Sequence, residues 1–275
     1  MSLEELKYRL TKEKEEIEAQ LKEIDELRGE IKYEIETAAQ LGERVKNKPH
    51  KPKIMTGVGF LDNNLGGFEF GTFINIAGEA GAGKTTLLLK ILTNISEGHK
   101  VLFFSYEMYE DRLIRFIRKL TSNYLSYQNL YVEQEHRNIN DIENIIKAKA
   151  KEGIKLFVID SIMKIEAKGD GVNEKRSYIS ATLAKLTQHL GVVIILINQV
   201  SKGDLKDGRV DFKGSGDVAY DSDINLFINL KRGKSGAVEG RRISCSKNRD
   251  GNFFEAMIPD FFAIQNEYDF SGVPR

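Results

Sequence analysis

"GEAGAGKTT", residues 78–86, follows the apolar run FINIA (73–77) without a break and leads straight into the apolar LLLKI. It fits the phosphate-loop pattern, two glycines five residues apart followed by Lys-Ser/Thr, at Gly78, Gly83, Lys84 and Thr85. A strand before it and a helix after it are the setting that pattern requires. The composition has a geometric reason. Glycines let successive backbone N–H groups wrap phosphate oxygens, and the new helix adds its positive N-terminal end. Lys84 is placed to reach the β and γ phosphates, and Thr85 offers a hydroxyl to Mg²⁺. Gly78, Glu79, Ala80, Gly81, Ala82, Gly83, Lys84, Thr85 and Thr86 are thus the expected nucleotide-binding loop, with ATP and Mg²⁺ as the expected ligands.

Outward from the loop, apolar runs alternate with helix-like segments. VLFFSY (101–106), IKLFVID (154–160), VVIILIN (192–198) and INLFINL (224–230) are near-continuous and rich in β-branched and aromatic residues. Such runs suit strands covered on both faces. Between them, residues 84–97, 110–121, 139–151 and 174–190 read as amphipathic helices. Strand and helix in alternation predict an α/β fold with a mostly parallel, twisted sheet and right-handed crossovers.

Residues 1–44 read differently. They lack proline, alternate acids and bases densely, and place Leu3, Leu10, Ile17, Ile24, Ile31 and Ala38 seven residues apart, with Leu6, Leu27 and Leu41 three positions after some of them. The expectation is a charged, heptad-patterned helix, or a helical hairpin bent at Gly29, serving oligomerisation or docking on a protein partner. VKNKPHKPK (45–53), with two prolines among five basic residues, reads as a linker. The domain expectation is a helical segment over 1–44, a linker over 45–54 and a nucleotide-binding domain over 55–275.

Composition narrows the classes. Of the 275 residues, 41% are hydrophobic and 30% charged, enough for a full core. No run approaches the roughly 20 apolar residues of a membrane span. The single cysteine, Cys245, leaves no internal disulfide and no cysteine cluster for zinc, so the expected setting is reducing and cytoplasmic. A net charge of zero means that any contact with a polyanion must come from local basic loops.

A phosphate loop needs a metal-orienting acid at the end of a nearby strand, and IKLFVID ends in Asp160. Hydrolysis also needs a group that positions water or takes its proton. Glu107, just beyond VLFFSY, is the candidate; Glu79, inside the loop, is a poor neighbour for phosphate unless it points outward. Gln199 closes its strand and could bond the γ-phosphate or the attacking water. Near the C-terminus, SCSKNRDGNFF (244–254) reads as a hairpin tip turning at Asp250-Gly251 and displaying Lys247 and Arg249.

TGVGFLDNNLGGFEFGTFINIAGEAGAGKTTLLLKI, VLFFSYEM, LFVIDSI, IILINQVSKG, SGDVAYDSDINLFI and SKNRDGN together resemble, in order and spacing, the RecA-fold ATPases of the DnaB-like replicative helicase and bacterial RadA-like groups. The match runs from about Met55 to Phe262. What it implies is a ring, usually hexameric, with ATP at subunit boundaries and single-stranded DNA in the central channel. Lys84 and Thr85 carry over as phosphate-loop residues, Asp160 as the metal acid, Glu107 as the base and Gln199 as the γ-phosphate sensor. Lys247 and Arg249 carry over as cations inserted into the neighbouring subunit's site. No counterpart is expected of the DnaB-type N-terminal globular domain, the RadA-type zinc module or the Lon-like C-terminal domain.

DNA contacts are expected on two Gly-rich loops with spaced cations, residues 166–177 and 201–217. They offer Lys168, Lys175, Arg176, Lys202, Lys206, Arg209 and Lys213. Two functions fit: a ring ATPase translocating on or unwinding DNA in replication or recombination, or a KaiC-like nucleotide switch that controls protein assembly without DNA translocation.

Overall fold

The apolar runs become the inner strands of one sheet, and the segments between them cover its two faces. The structure, a computed structural model, describes residues 3–28, 36–46, 48–49, 51–200, 205–206, 209–210, 216–233, 235–258, 268–269 and 273–274. Side chains are described for 3–21, 36–46, 48–49, 51–200, 218–233 and 235–258. The chain divides into two units, Met1–His50 and Lys51–Arg275.

The first unit holds α1 (Leu3–Arg28) and α2 (Ala38–Lys46). Thr37 caps α2 reciprocally: Gln40 N–H donates to Thr37 Oγ1 at 3.3 Å and Thr37 N–H to Gln40 Oε1 at 2.9 Å, satisfying two donors at the helix start. In α1 the heptad residues Leu3, Leu10 and Ile17 are all exposed. Gly29, where a hairpin could bend, lies outside the described residues.

The second unit opens with β1 (Lys53–Ile54), α3 (Gly59–Leu65), β2 (Phe68–Glu69), β3 (Phe73–Gly78), α4 (Lys84–Ile95), β4 (Val101–Ser105) and α5 (Glu110–Leu120). It continues through α6 (Tyr124–Asn129), β5 (Leu130–Glu133), α7 (Ile139–Lys151), β6 (Leu156–Asp160), a 3-10 turn (Ile162–Lys164), α8 (Val172–Leu190) and β7 (Val193–Gln199). It ends in β8 (Leu205–Lys206), β9 (Arg209–Val210), α9 (Gly216–Asp221), β10 (Ile224–Arg232), β11 (Val238–Asn248), β12 (Glu255–Ile258), β13 (Tyr268–Asp269) and β14 (Val273–Pro274).

The main sheet has eight strands in the order β12-β11-β10-β3-β7-β6-β4-β5. From β10 to β5 every pairing is parallel, whereas β11 and β12 run antiparallel. Alternating residues of the inner strands feed two cores. Ile74, Ile76, Phe103, Val158 and Ile195 pack with Leu87, Leu88 and Ile91 of α4 and Leu113 of α5. On the other face Phe73, Phe104, Phe157, Ile194 and Leu196 pack with Ile142 of α7 and Leu183 of α8. Burial on both faces is why these strands read as continuous apolar runs.

Register then places the chemistry. Gly78 pairs with Gln199 across β3 and β7, and Ser105 pairs with Asp160 across β4 and β6. The carboxyl ends of four strands therefore align on one sheet edge, where ligands of open parallel sheets bind. Among the described residues no helix is long and apolar enough to cross a membrane.

Candidate nucleotide site

The first glycine of the loop is required by packing. A Cβ on Gly78 would stand 2.4 Å from the Ile228 carbonyl oxygen of β10, its partner in the sheet. Gly81 and Gly83 are required by conformation, with φ of +74° and +94°. Gly83 forms the N-cap of α4, whose first residue is Lys84. The Lys84 ammonium is buried and donates to the carbonyl oxygens of Gly78 (2.9 Å) and Glu79 (3.0 Å). Burial lowers its pKa, against the opposing pull of the Asp160, Glu107 and Glu79 charges. Glu79 turns toward β10, where its Oε1 accepts the Leu230 N–H at 3.1 Å.

Facing the loop across a cavity of about 380 Å³ are Glu107, Asp160 and Gln199. Ala80, Gly81, Gly83, Lys84, Thr85 and Thr86 form the loop side of the same cavity. Asp160 Oδ2 accepts the Thr85 hydroxyl at 2.7 Å, while its Oδ1 is buried and has no hydrogen-bond partner. Burial pushes this carboxyl up to about 6; the Glu107 charge adds to the rise, and the Thr85 bond and Lys84 oppose it. A buried orphan carboxylate oxygen beside a hydroxyl is a fitting place for Mg²⁺, which takes one or two protein oxygens and completes its shell with phosphates and water.

Glu107 stands two residues beyond β4, and its Oε1 accepts the Ser161 hydroxyl at 2.6 Å. The segment carrying it is braced from behind. The Gln134 side-chain amide donates to the carbonyls of Ser105 (3.2 Å) and Met108 (2.7 Å), and the Tyr106 hydroxyl donates to His136 O. Glu107 also lines a second cavity of about 820 Å³ with Gln134, Arg137 and Lys164, so it stands between the two.

Lys247 and Arg249 are elsewhere. Asn248 pairs with Ile224, which pairs with Ile74, so both cations sit at the start of β3, whereas the phosphate loop follows its end. At about 3.3 Å per residue the two ends of β3 are ~13 Å apart or more. Lys247 Nζ donates to Ala219 O (3.0 Å) and Tyr220 O (2.7 Å) at the end of α9. Arg249 pairs with Asp223 at 3.3 Å, and Asp223 also accepts the Phe73 N–H. The hairpin tip is wider than Asp250-Gly251 alone predicts. Residues 249–254 connect β11 to β12, and Gly251 does not have a positive φ; a Cβ there would meet Asn248 Nδ2 at 2.5 Å.

Of the expected DNA-contacting cations, Lys168 and Lys175 are exposed, and Arg176 on α8 is half-buried with its Nη2 2.9 Å from Met163 Sδ. Lys202 and Lys213 lie outside the described residues, as do the side chains of Lys206 and Arg209 in the β8–β9 hairpin. Sequence reasoning missed Ser161, Gln134, Arg112, Phe116 and Arg241. All but Gln134 line the 380 Å³ cavity. Ser161 directly follows Asp160 and could have been found from that position; Gln134 and Arg241 carry no local signal.

The sequence model of the family described as "ATPase: KaiC" matches residues 54–259. A probable plasmid replicative DNA helicase of Chlamydia muridarum (strain MoPn / Nigg) is 25% identical over 277 residues, covering 84% of this chain and 60% of that protein. The DNA repair protein RadA of Aquifex aeolicus (strain VF5) is 32% identical over 153 residues, covering 54% and 33%. Among solved structures, a DnaB-like replicative helicase, described together with its interactions with primase, superposes with a TM-score of 0.66 at 20% identity, a likeness of fold. The superposition covers 90% of this chain and 71% of that one. The chain spans about half to three-fifths of the length of the first curated relatives it matches.

Proposed function

The chain belongs to the KaiC family of ATPases, and on that premise we propose that it is an ATP-driven motor acting on DNA in replication or recombination. The observation that carries this reading is the convergence of Lys84, Thr85, Asp160 and Glu107 on one cleft at the sheet edge. The names of its relatives, a replicative helicase and a DNA repair protein, support DNA as the track.

In the proposed mechanism, the triphosphate lies along the loop, and Lys84 exchanges the Gly78 and Glu79 carbonyls for β and γ phosphate oxygens. Thr85 and Asp160 would hold Mg²⁺, which would supply charge neutralisation on the phosphates. Glu107, fixed by Ser161, aligns a water and accepts its proton as the oxygen bonds the γ-phosphorus and the bond to the β–γ bridging oxygen breaks. Gln199 senses the γ-phosphate. Lys247 and Arg249 complete the site of a neighbouring subunit in a ring, which we take to be hexameric; their distance from the chain's own loop supports a role in trans. The ring binds single-stranded DNA through the loops after β6 and β7, in the cytoplasm. The exposed Leu3, Leu10 and Ile17 stripe supports docking of residues 1–44 on a partner or another subunit.

ATP turnover with and without single-stranded DNA tests this. Stimulation by DNA, and its loss in Lys84→Ala, is the expected result. An unchanged rate with no DNA binding at low salt sinks the motor and leaves a KaiC-like switch.

A further inference from the structure

We infer that Arg241 is a nucleotide-site residue acting in cis: from β11 it holds the phosphate loop in its anion-receiving shape and places a cation beside the polyphosphate. The inference rests on the reading of residues 78–86 as the nucleotide loop.

The β10–β11 hairpin meets that loop at Gly78, Glu79 and Ala82. Ile228 O lies against Gly78, Leu230 N–H donates to Glu79 Oε1, and Arg241 Nε donates to Ala82 O at 3.1 Å. Leu230 and Arg241 are partners across the ladder, so the last two contacts come from one rung. The Arg241 contact differs from the others in its effect. A loop that receives phosphate must turn its N–H groups inward and its carbonyls away, because a carbonyl oxygen facing the anion repels it. Arg241 takes up the carbonyl of Ala82, the residue just before Gly83 and Lys84, and keeps it turned toward β11. The arginine is also half-buried in the wall of the cavity that Lys84, Thr85 and Asp160 share. A guanidinium there adds positive charge in a setting where water screens it poorly.

Neither Lys247 nor Arg249 can do this for its own chain, because both lie at the other end of the sheet. Arg241 is six residues before Lys247 on the same strand. One strand thus serves the chain's own loop at one end and, in the proposed ring, the neighbour's site at the other.

The test measures binding of a fluorescent ATP analogue with Mg²⁺, together with kcat and KM, for wild type, Arg241→Gln, Arg241→Lys and Lys84→Ala, with thermal melts of the nucleotide-free proteins. Arg241→Gln should weaken ATP binding about tenfold, as loss of a charge-assisted contact does, and raise KM more than it lowers kcat. Arg241→Lys, which keeps the charge but not the Nε bond, should recover part of the affinity. Wild-type affinity in Arg241→Gln, alongside weakened binding in Lys84→Ala, overturns this inference and leaves the nucleotide loop intact. A lower melting temperature for both Arg241 variants without any change in affinity or KM also overturns it. If wild type fails to bind the analogue, the nucleotide-site reading itself fails.

Discussion

Asp160 shows what a single buried charge costs and why it is kept. Its carboxyl titrates near pH 6 instead of its ordinary 3.8, because burial disfavours the anion. Between those values the folded chain binds more protons than the unfolded one, so stability falls as pH rises through the window and the penalty is complete above it. Asp160→Asn should therefore be more stable than wild type at pH 8, by about 3 kcal/mol at most, and melt higher there, and the gain should vanish near pH 4. ATP turnover should be lost at both. Melts of the nucleotide-free proteins check this; an Asn variant that melts lower at pH 8 refutes it. The position of the acid was legible from sequence, since an apolar run ending in Asp predicts a strand with the carboxylate at its end. Its partners were not. Ser161 and Gln134 hold Glu107 through bonds that depend on the Ser105–Asp160 register and on the path of the chain after β5.

Elements were legible in proportion to how strongly burial marks them. The five inner strands and the helices α4, α5, α7 and α8 appear within a few residues of their expected bounds. Strand β11 did not show, because an antiparallel strand near the sheet edge alternates buried residues such as Ile243 and Cys245 with exposed Arg242 and Ser246, and its charges mask the pattern. The register of β10 against β3, which sets the Ile228 carbonyl beside Gly78, explains that glycine, which sequence reasoning assigned to phosphate. Gly78→Ala should destabilise the fold by about 1–3 kcal/mol in denaturant unfolding, since the new methyl overpacks against the Ile228 carbonyl. Gly81→Ala has open space around it and only a positive φ to strain, so it should cost about 1 kcal/mol and act mainly on nucleotide affinity. Equal destabilisation by the two would argue against sheet packing as the reason for Gly78.

For the whole molecule, the decisive fact is that Lys247 and Arg249 lie at one end of the central strands, and the 78–86 loop with its facing acids at the other. Lys247 and Arg249 are held by α9 and Asp223, while the loop and its acids face the far edge. In the proposed ring each subunit lends cations to the next. Arg249→Ala should bind ATP but not turn it over, and Lys84→Ala should be inactive for the opposite reason. Mixing the two should restore part of the activity, because an Arg249→Ala subunit can receive its cation from a Lys84→Ala neighbour. Strictly additive, inactive mixtures would refute sharing in trans.

The sequence by itself determined the parallel α/β core, the glycine-rich loop between a strand and a helix at 78–86, and the acids at or just beyond strand ends. Each depends on a local pattern: a buried run, a glycine spacing, a charge after a strand. Only the tertiary structure decided which carbonyl crowds Gly78, which side chains hold Glu107, that Arg241 reaches Ala82, and that the C-terminal cations stand away from their own loop. Those facts follow from sheet order and register, which bring together residues from 26 to 159 positions apart, and no short-range pattern records them.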